Sequence, residues 1–303
     1  MFKKLRTITL WFILTLAIVY VISVYLTEPA QNHPFFTQNN NQVEVIAHRG
    51  GHGLWPENTL YGFQQAIALD VDMLEMDVRS TKDSVLVILH DSGVDRTTNG
   101  KGQVRDFTLK ELKTLDAGYT WTKDNGQTYP YRDKNITIPT LAEIFTELPD
   151  TRKIIEIKQT EPDITTAFGN LIRQHNMTNN VLVACFDSSI LRNFRAQFPE
   201  IATSAGLTEG LLFYTLSRLG LSAAYCPNTQ ALQIPQKMGP FNTTHTAFLN
   251  AAQNHNLKIQ YWTVNDPQNM QTLINLDING IITAYPDRLI QILEPPHADL
   301  LIR

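Results

Sequence analysis

Short apolar runs alternate with amphipathic helical stretches along most of the chain, and each kind of segment predicts one kind of element. The predicted strands are Val43–His48, Met73–Val78, Val85–Leu89, Lys153–Ile157, Val181–Phe186, Ile201–Ala205, Ala223–Cys226, Lys258–Val264 and Gly280–Thr283. The predicted helices are Thr59–Leu69, Leu141–Thr146, Asp163–His175, Ser188–Phe198, Glu209–Leu219, Thr244–Asn256, Pro267–Leu276 and Pro286–Leu293. Strands that alternate with helices indicate a parallel sheet of right-handed βαβ units.

One pair of strands interrupts this alternation. Met73–Val78 and Val85–Leu89 are joined only by Arg79–Ser84, which is too short for a crossover and predicts an antiparallel hairpin. A turn centred near Lys82 would place Glu75 roughly opposite His90. Removing the return strand leaves eight parallel strands, the number in a (β/α)₈ TIM barrel. The sequence contains no Gly-x-Gly-x-x-Gly turn, which would have favoured an open doubly wound sheet.

The segment of about 91–139 has little periodicity and several glycines. It predicts a small insertion in the barrel, and long insertions of this kind usually shape the mouth of an active site. The predicted fold class is therefore α/β, a TIM barrel with one insertion.

The N-terminus has a different pattern, because no residue from Thr7 to Thr27 is charged. About 20 apolar residues in a helix span a hydrocarbon core of ~30 Å. Three basic residues precede the run, so the N-terminus is expected in the cytoplasm and the rest on the periplasmic or other extracytoplasmic side. A cleaved signal peptide is the alternative, although its apolar region is usually only about 7–15 residues long. We expect a stub and single-pass anchor at 1–27, a polar linker at 28–42 and a catalytic domain at 43–303.

Composition excludes some functions. The chain has 25 basic and 29 acidic residues, a net charge of −4, which argues against a nucleic-acid binder that works by bulk positive charge. The uncharged run from Thr7 to Thr27 lowers the charged fraction of 18% only slightly. Cys185 and Cys226 are too few for a disulfide framework or a zinc knuckle.

Residues that can carry chemistry lie at the ends of three predicted strands, where the mouth of a barrel forms. They are His48 and Arg49 on the first, Glu75 and Asp77 on the second, and Glu156 and Lys158 on the fourth. Glu75 and Asp77 share a face because they are two residues apart on a strand. Clustered carboxylates repel one another unless a cation lies between them, and oxygen ligands suit Ca²⁺ or Mg²⁺. A solvated strand face, or ion pairs with Arg49 or Lys158, would account for the same carboxylates.

His90 and Asp91 end the hairpin and complete a set of two histidines, two cationic side chains and three strand-end carboxylates. Such a set suits metal-assisted cleavage of a phosphodiester. Cations neutralise the phosphoryl oxygens, one histidine accepts a proton, and the other gives a proton to the leaving alkoxide.

The ordered motifs resemble those of the glycerophosphodiester phosphodiesterase family. They are His48-Arg49-Gly50, Pro56-Glu57-Asn58-Thr59, Glu75-Met76-Asp77-Val78, His90-Asp91, Asp95-Arg96-Thr97-Thr98, Glu156-Ile157-Lys158, Trp262-Thr263-Val264-Asn265 and Gly280-Ile281-Ile282-Thr283. The resemblance covers roughly residues 43–286. Any one motif is weakly specific, but the ordered set is highly specific.

The resemblance implies a role for each matching residue. His48 and His90 would be the general acid and base, and Glu75, Asp77 and Glu156 would ligate one divalent cation, Ca²⁺ or Mg²⁺. Arg49 and Lys158 would contact the phosphate, and Phe186 and Trp262 would wall the pocket. The implied reaction converts a glycerophosphodiester to glycerol 3-phosphate and an alcohol through a cyclic phosphate, with the substrate's own glycerol hydroxyl as nucleophile.

Asp70 and Ser84 depart from the family, because members commonly have glycine at both positions. The last motif also differs, with Ala284 where Asp is usual.

Two alternative functions remain. Cleavage of lipid phosphodiesters, as by lysophospholipase D or sphingomyelinase D-like enzymes, would be favoured by an apolar channel running from the insertion toward the bilayer. A catalytically silent binding domain would be favoured by loss of a catalytic residue, and none is lost.

Overall fold

Eight parallel strands form a nearly closed barrel in the computed structural model, which describes residues 2–36 and 43–294. The strands in chain order are β1 (Glu44–Ala47), β2 (Met73–Ser80), β3 (Leu86–Ile88), β4 (Arg152–Ile157), β5 (Val181–Ala184), β6 (Ala202–Thr203), β7 (Ala231–Ile234), β8 (Lys237–Met238), β9 (Phe241–Asn242), β10 (Lys258–Tyr261) and β11 (Gly280–Thr283). Around the barrel the order is β6-β5-β4-β2-β1-β11-β10-β7, and a parallel bridge between Ser204 and Ala231 joins the two ends. This confirms the predicted TIM barrel.

Helices cover the outside of the barrel, and an apolar layer separates them from the strands. The helices are α1 (Phe2–Leu26), α2 (Leu60–Ala68), α3 (Leu109–Leu112), α4 (Leu141–Glu147), α5 (Thr165–Gln174), α6 (Ser188–Gln197), α7 (Leu207–Arg218), α8 (Thr246–Asn254), α9 (Pro267–Ile274) and α10 (Pro286–Leu293). Several begin at a side chain that accepts a hydrogen bond from the first turn, such as Thr59, Asp187 and Asp266. These caps satisfy N–H groups that have no partner within the helix.

Alternation along the strands separates two apolar layers. In β2, Leu74, Met76 and Val78 pack outward beneath the helices, while Met73 belongs to a second cluster that fills the barrel. The inward positions that follow Met73, which are Glu75 and Asp77, are polar and buried. The same period-two pattern that forms the barrel therefore delivers polar side chains to its carboxyl-terminal end.

Residues Ala30–Phe36, predicted as part of a polar linker, pack on the amino-terminal end of the barrel. Phe35 is fully buried in the inner cluster, and its carbonyl oxygen accepts a hydrogen bond of 3.0 Å from Arg152 Nη1. The backbone N–H of Ala30 donates to the His255 carbonyl oxygen at 2.8 Å. This part of the segment is joined to the barrel because Phe35 supplies apolar surface to it. The rest of the predicted linker, 37–42, lies outside the described residues, as do 295–303 of the predicted domain.

The N-terminal helix α1 is almost wholly exposed, and its stretch Lys4–Leu26 is long and apolar enough to cross a membrane. Tyr20, Ser23 and Thr27 are half-buried. Helix α1 contacts the turn Ser222–Ala224. This contact places the end of α1 near the amino-terminal end of the barrel, away from the mouth.

The predicted strand Ala223–Cys226 was wrong. Residues Ser222–Ala224 form a 3₁₀ turn, and the seventh strand of the barrel, β7, begins at Ala231. Within the predicted segment only Tyr225 is buried, and its ring contacts that of Phe213 at 4.9 Å outside the barrel. Pro227 follows directly and has no N–H to offer a central strand, so the sheet resumes beyond it.

The hairpin of β2 and β3 is antiparallel, as predicted, but its register differs by one residue. Ser80 pairs with Leu86 and Val78 with Ile88, which centres the turn on Asp83 rather than Lys82. Extending this register puts Met76, and not Glu75, opposite His90.

The insertion at 91–139 folds beside this hairpin. Its buried side chains, among them Val94, Val104 and Ile138, form a separate cluster with Val87 and Leu89. None of its residues lines the main cavity described below. The insertion therefore supports the hairpin from outside instead of forming the cavity wall.

Asp70 and Ser84, the two departures from glycine, both lie in the left-handed region, with φ of +63° and +62°. Ser84→Gly should raise the free energy of unfolding by about 0.5–1 kcal/mol, because a side chain costs ~1–2 kcal/mol there and the extra backbone entropy of glycine offsets part of the gain. Calorimetric unfolding measures this difference. The control Ser80→Gly, in extended β2, should be destabilising because it removes a hydrogen bond from Gln159. Equal or lower stability of Ser84→Gly would contradict the prediction.

Candidate active site

A cavity of about 510 Å³ opens at the carboxyl ends of the strands. Of the site residues predicted from the sequence, those that line it are His48, Arg49, Glu75, His90, Glu156, Lys158, Phe186 and Trp262. Asp77 lies directly beneath, with only 1% of its surface exposed. The structure therefore brings all the predicted residues to one place.

Three carboxylates share one side of the cavity. Glu75, Asp77 and Glu156 each present an oxygen within 4.8 Å of the others. Burial, and then the charges of Asp77 and Glu156, raise the pKa of Glu75 well above its ordinary value. Burial likewise raises the pKa of Glu156, although Lys158 opposes it. Burial and mutual repulsion therefore make the ionised carboxylates costly unless a cation compensates them, which is the condition under which carboxylates bind a cation.

Two cationic side chains contact this cluster, so the ion pairs considered from the sequence also form. Lys158 Nζ is 2.7 Å from Glu156 Oε2 and 3.4 Å from Asp77 Oδ1, and Arg49 Nε is 3.4 Å from Asp77 Oδ2. Asn58 Nδ2 donates to Asp77 Oδ2 at 2.8 Å, whereas Asp77 Oδ1 has no hydrogen-bond partner among the described residues. A buried carboxylate oxygen without a donor, within an all-oxygen set, fits a hard divalent cation.

A sharp turn after β1 positions His48 and Arg49. The backbone N–H of Arg49, at φ +50°, donates to Glu75 Oε2 at 2.9 Å. Gly50 follows at φ +80°, where a Cβ would approach the ring of Phe63 to 2.8 Å. The turn therefore needs glycine at this position, both for its conformation and for space.

His48 lies in its neutral form beside the carboxylates. Its Nε2 lies 3.8 Å from Glu75 Oε2, and its Nδ1 has no hydrogen-bond partner among the described residues. Burial, and then the charge of Arg49, lower the pKa of His48 to about 2. The ring of His52 lies edge-on to that of His48, with ring centres 5.0 Å apart.

His90 ends a chain of ionic hydrogen bonds that sequence reasoning did not assign. His90 Nδ1 is 2.6 Å from Asp91 Oδ1, and Arg96 Nε donates to Asp91 Oδ2 at 2.6 Å. Arg96 also donates to both carboxylate oxygens of Glu57 at 2.7 Å, and Arg49 Nη1 donates to Glu57 Oε1 at 3.0 Å. The chain connects His90 to Arg49 around the mouth. In the sequence, the only indication of this hydrogen-bonded chain is that all of its residues belong to the family motifs.

The charges along this chain shift two carboxylate pKa values. The pKa of Asp91 is lowered to about 2, and the hydrogen bond from Arg96 is the largest cause. Burial favours a higher pKa for Glu57, but Arg96 and Arg49 outweigh it and hold that pKa below its ordinary value. Both carboxylates are therefore ionised near neutral pH, and Asp91 fixes the orientation of the His90 ring through the contact at Nδ1.

The opposite side of the cavity is mainly apolar. We call this side the apolar arm; it is lined by Leu207, Gly210, Leu211, Tyr214, Pro235, Met238, Phe241 and Phe248. They come from α7, the β8–β9 hairpin and the segments around them. The rings of Phe186 and Trp262 meet edge to face, with centres 5.7 Å apart. The sequence analysis missed the arm, since the apolar residues of α7 predict only a helix that packs on a core.

The altered last motif forms a hydrogen-bonded turn behind the His48 loop. Asn265 Oδ1 accepts hydrogen bonds from the Ala284 N–H at 2.9 Å and from Thr283 Oγ1 at 3.2 Å. The Ala284 carbonyl oxygen accepts from the Gly53 N–H at 3.0 Å. The Ala284 side chain is buried and does not line the cavity, so this departure leaves the cavity wall unchanged.

The eight-stranded barrel, with carboxylates, histidines and cationic side chains at its mouth, defines a TIM-barrel phosphodiesterase. The model of the glycerophosphoryl diester phosphodiesterase family matches residues 48–288, and the chain belongs to that family. It is an enzyme that hydrolyses glycerophosphodiesters. The family is generally dependent on divalent cations, in agreement with the acidic cluster.

Individual relatives agree with this assignment. The chain is 33% identical over 253 residues to the Bacillus subtilis protein YhdW, covering 82% of this chain and 96% of that one. It is 32% identical over 260 residues to a glycerophosphodiester phosphodiesterase of Caldanaerobacter subterraneus, with coverage of 82% and 96%. The structure of an Oleispira antarctica phosphodiesterase in complex with the product sn-glycerol-3-phosphate superposes with a TM-score of 0.64 at 27% identity, covering 83% of this chain and 96% of that one.

The ion pairs of Glu57 with Arg49 and Arg96 lead to a prediction about the stability of the protein. Glu57→Gln should lower the free energy of unfolding by about 2–3 kcal/mol, because it removes the carboxylate that Arg49 and Arg96 share. Glu57 and Arg49 are largely buried, whereas Arg96 is about half exposed, so most of the loss comes from Arg49. Calorimetric unfolding at neutral pH measures the loss. The control is Glu200→Gln, which removes the carboxylate of an exposed pair with Arg173 and should cost less than about 1 kcal/mol. Similar losses of unfolding free energy in the two variants would show that the chain of ionic hydrogen bonds does not stabilise the protein more than an exposed ion pair does.

Proposed function

We propose that this enzyme hydrolyses glycerophosphodiesters to glycerol 3-phosphate and an alcohol in a reaction that requires one divalent cation, Ca²⁺ or Mg²⁺. The observation that carries the proposal is the convergence of three carboxylates, two histidines and two cationic side chains in one cavity. Glu75, Asp77 and Glu156 would hold the cation. When bound, it would neutralise the phosphoryl oxygens and make the nearby glycerol hydroxyl more acidic.

Arg49 and Lys158 are placed to bind the phosphodiester itself. Both face the carboxylate cluster, so a phosphodiester that enters beside them would, together with the divalent cation, complete the charge balance. The planar guanidinium of Arg49 can donate two parallel hydrogen bonds, while Lys158 acts as a compact point charge. Glu57 and Glu75 fix Arg49 through its side chain and its backbone N–H, respectively.

His48 and His90 divide the proton transfers. His48 is neutral and buried, and accepts the proton of the glycerol hydroxyl as that oxygen attacks the phosphorus. His90, oriented by its hydrogen bond with Asp91, donates a proton to the departing alkoxide. The product of this step is a cyclic phosphate, which water opens to glycerol 3-phosphate with the two roles reversed. Because the nucleophile belongs to the substrate, little entropy is lost in bringing it to the phosphorus.

Chelation and loss of a histidine test this function. The full chain in lipid nanodiscs, given glycerophosphocholine, should release glycerol 3-phosphate, lose that activity with a chelator, and regain it with excess Ca²⁺ or Mg²⁺. His48→Ala and His90→Ala should each lower kcat by about 100-fold or more. The measurement is an enzyme-coupled assay of glycerol 3-phosphate.

The control variant is His175→Ala, because His175 lies at the end of α5 and does not line the cavity. It should retain full activity. Hydrolysis that survives both chelation and His48→Ala would contradict the proposed mechanism. Absence of hydrolysis by the unsubstituted chain under every metal condition would contradict the proposed function.

Cleavage of lipid phosphodiesters is the second candidate, and the apolar arm favours it. The arm is formed by α7 and the β8–β9 hairpin, not by the insertion expected from the sequence. The silent binding domain has no comparable support, since the catalytic and metal positions of the family motifs are all present.

We also propose that α1 anchors the enzyme in a membrane with the barrel on the extracytoplasmic side. The exposed apolar side chains of Lys4–Leu26 need a nonaqueous environment, and basic residues come before most of them. A signal sequence that is later removed would share these properties. The contact of α1 with Ser222–Ala224 supports retention, because it ties the helix to the barrel.

Cysteine labelling tests the anchor and its orientation. Cys226 is exposed and Cys185 is buried, so a membrane-impermeant maleimide added to intact cells should label the chain once, at Cys226, and should leave the variant Cys226→Ser unlabelled. The labelled protein should sediment with carbonate-washed membranes at its full intact mass. Labelling that appears only after the cells are lysed would contradict the orientation. A mass that lacks the N-terminal segment would contradict the anchor.

A further inference from the structure

The connection between helix α1 and the barrel is short. Helix α1 ends at Leu26, and the N–H of Ala30 already donates to the His255 carbonyl oxygen at 2.8 Å. Asn256 Nδ2 donates to the carbonyl oxygen of Ala30, also at 2.8 Å. Between these points lie only residues 27–29, which span about 10 Å when fully extended. A membrane that contains α1 therefore lies close to the amino-terminal end of the barrel, where α8 ends and β10 begins.

The segment that follows this connection is fixed to the barrel. His33 Nε2 lies 3.0 Å from the Glu200 carbonyl oxygen, and Arg152 Nη1 donates to the Phe35 carbonyl oxygen at 3.0 Å. The ring of Phe35 is fully buried inside the barrel. The connection can lengthen only if Phe35 leaves the core. The barrel is thus held against the bilayer instead of swinging on a flexible linker.

One face of α1 lies against the barrel. Tyr20, Ser23 and Thr27 are half-buried, whereas the residues next to them in the helix are exposed, and their spacing of three and four places them on one side. Helix α1 contacts the turn Ser222–Ala224. The uncharged run Thr7–Leu26 matches a hydrocarbon core of about 30 Å. The turn therefore lies beside the last turns of α1, at the level where the hydrocarbon core meets the head groups.

The chain that leads into this turn is apolar and protrudes from the barrel. Leu219–Ala224 contains no charged residue, and a Cβ built on Gly220 meets no atom within 4 Å. Leu219 is 65% exposed, the largest value for a large apolar residue outside α1 in the part of the chain that the structure describes, and Leu221 is 38% exposed. Two adjoining exposed leucines beside a membrane-spanning helix fit an apolar environment.

The charge of this segment also suits a phospholipid surface. Arg218 is exposed at the end of α7, directly before the two leucines, and no other residue of the stretch 210–236 is charged. A guanidinium donates paired hydrogen bonds to phosphate, and no acidic residue of this stretch repels the phosphates. Apolar side chains next to a cationic one are typical of surfaces that lie in the interface of a bilayer.

We propose that Leu219 and Leu221 insert into the bilayer beside the end of α1, with Arg218 at the level of the lipid phosphates, a placement that rests on the membrane anchor proposed above. Helix α7 extends from this point for 12 residues, about 18 Å, to Leu207 at the cavity. The barrel thus meets the membrane by one edge of its amino-terminal end, and the mouth opens to water. Substrate reaches the carboxylate cluster from the aqueous side and not by lateral passage out of the bilayer.

Site-directed fluorescence tests this contact. Full chains that carry Cys226→Ser receive one new cysteine, Leu219→Cys, Val21→Cys or Thr208→Cys, and an NBD probe, while the native Cys185 is buried. They are placed in nanodiscs of phosphatidylcholine and phosphatidylglycerol, with and without lipids that carry a doxyl quencher high on the acyl chain. Val21 reports on α1 itself. Thr208, exposed at the other end of α7 and not part of the cavity wall, is the matched control.

The doxyl lipids should quench the probes at Val21→Cys and Leu219→Cys and leave the probe at Thr208→Cys unquenched. Iodide, which stays in water, should give the reverse order. Quenching at Val21→Cys alone would overturn the contact and leave the anchor intact. Absence of quenching at both Val21→Cys and Leu219→Cys would overturn the contact together with the anchor. Equal quenching at Leu219→Cys and Thr208→Cys would overturn the orientation.

A charge placed next to the turn gives a second test, with the probe at Leu221→Cys. Leu219→Glu should lower the ratio of membrane-bound to free turn, measured from the quenched fraction, by about tenfold, because the apolar contact of one leucine is lost. Leu212→Glu is the matched control, since Leu212 is a similarly exposed leucine (54%) two helical turns away, and it should leave the quenching unchanged. Equal quenching in the two variants would contradict the contact.

The thermal unfolding transition shows whether both variants are folded, and it should be that of the unsubstituted chain because both leucines are exposed. Neither the quenching nor the unfolding transition depends on hydrolysis. The membrane contact can therefore be contradicted while the proposed function stands, and an inactive chain with a quenched turn would contradict the proposed function alone.

Discussion

Three carboxylates share the mouth of the barrel at distances where like charges repel, and the rest of the site is arranged around that constraint. Glu75 and Asp77 are buried, and nothing in the strand itself compensates their charge. Arg49, Lys158 and Asn58 approach them from neighbouring segments. The His48–Gly50 turn brings Arg49 into range, and its backbone N–H binds Glu75. A cation-binding phosphodiesterase thus requires the turn as much as the carboxylates.

The periodic parts of this structure could be predicted from the sequence because they follow local rules. Alternation in β2 indicates which residues face inward, and the short connection to β3 indicates a hairpin. The charged residues at the barrel mouth follow from strand ends, whereas Phe186 and Trp262 were indicated only by the family resemblance. The chemistry of Glu75, Asp77 and Glu156 is visible in the sequence because parallel strands bring their carboxyl ends to one edge.

Other parts could not be predicted, since they depend on contacts between distant segments. The sequence gives no local reason for β7 to begin at Ala231 instead of Ala223, because both runs are short and apolar; Pro227 between them is the best signal. Phe35 lies in a polar stretch, and its burial depends on the open end of a barrel built from later residues. The apolar arm likewise exists only after α7 and the β8–β9 hairpin come together.

The two ends of the barrel have different roles: the amino-terminal end is filled by side chains, and the carboxyl-terminal end opens into the active-site cavity. At the amino-terminal end, Phe35 fills the barrel and the Arg152–Glu44 pair, at 2.7 Å, closes it next to the segment that leads from α1. At the other end, the inward positions are left for substrate. Because α1 contacts the barrel near Ser222–Ala224, just beyond the end of α7, helix α7 runs between the side of the barrel that α1 contacts and the cavity. Leu212 and Leu219 are exposed along it, so one helix presents apolar surface on its outside and the apolar arm on its inside.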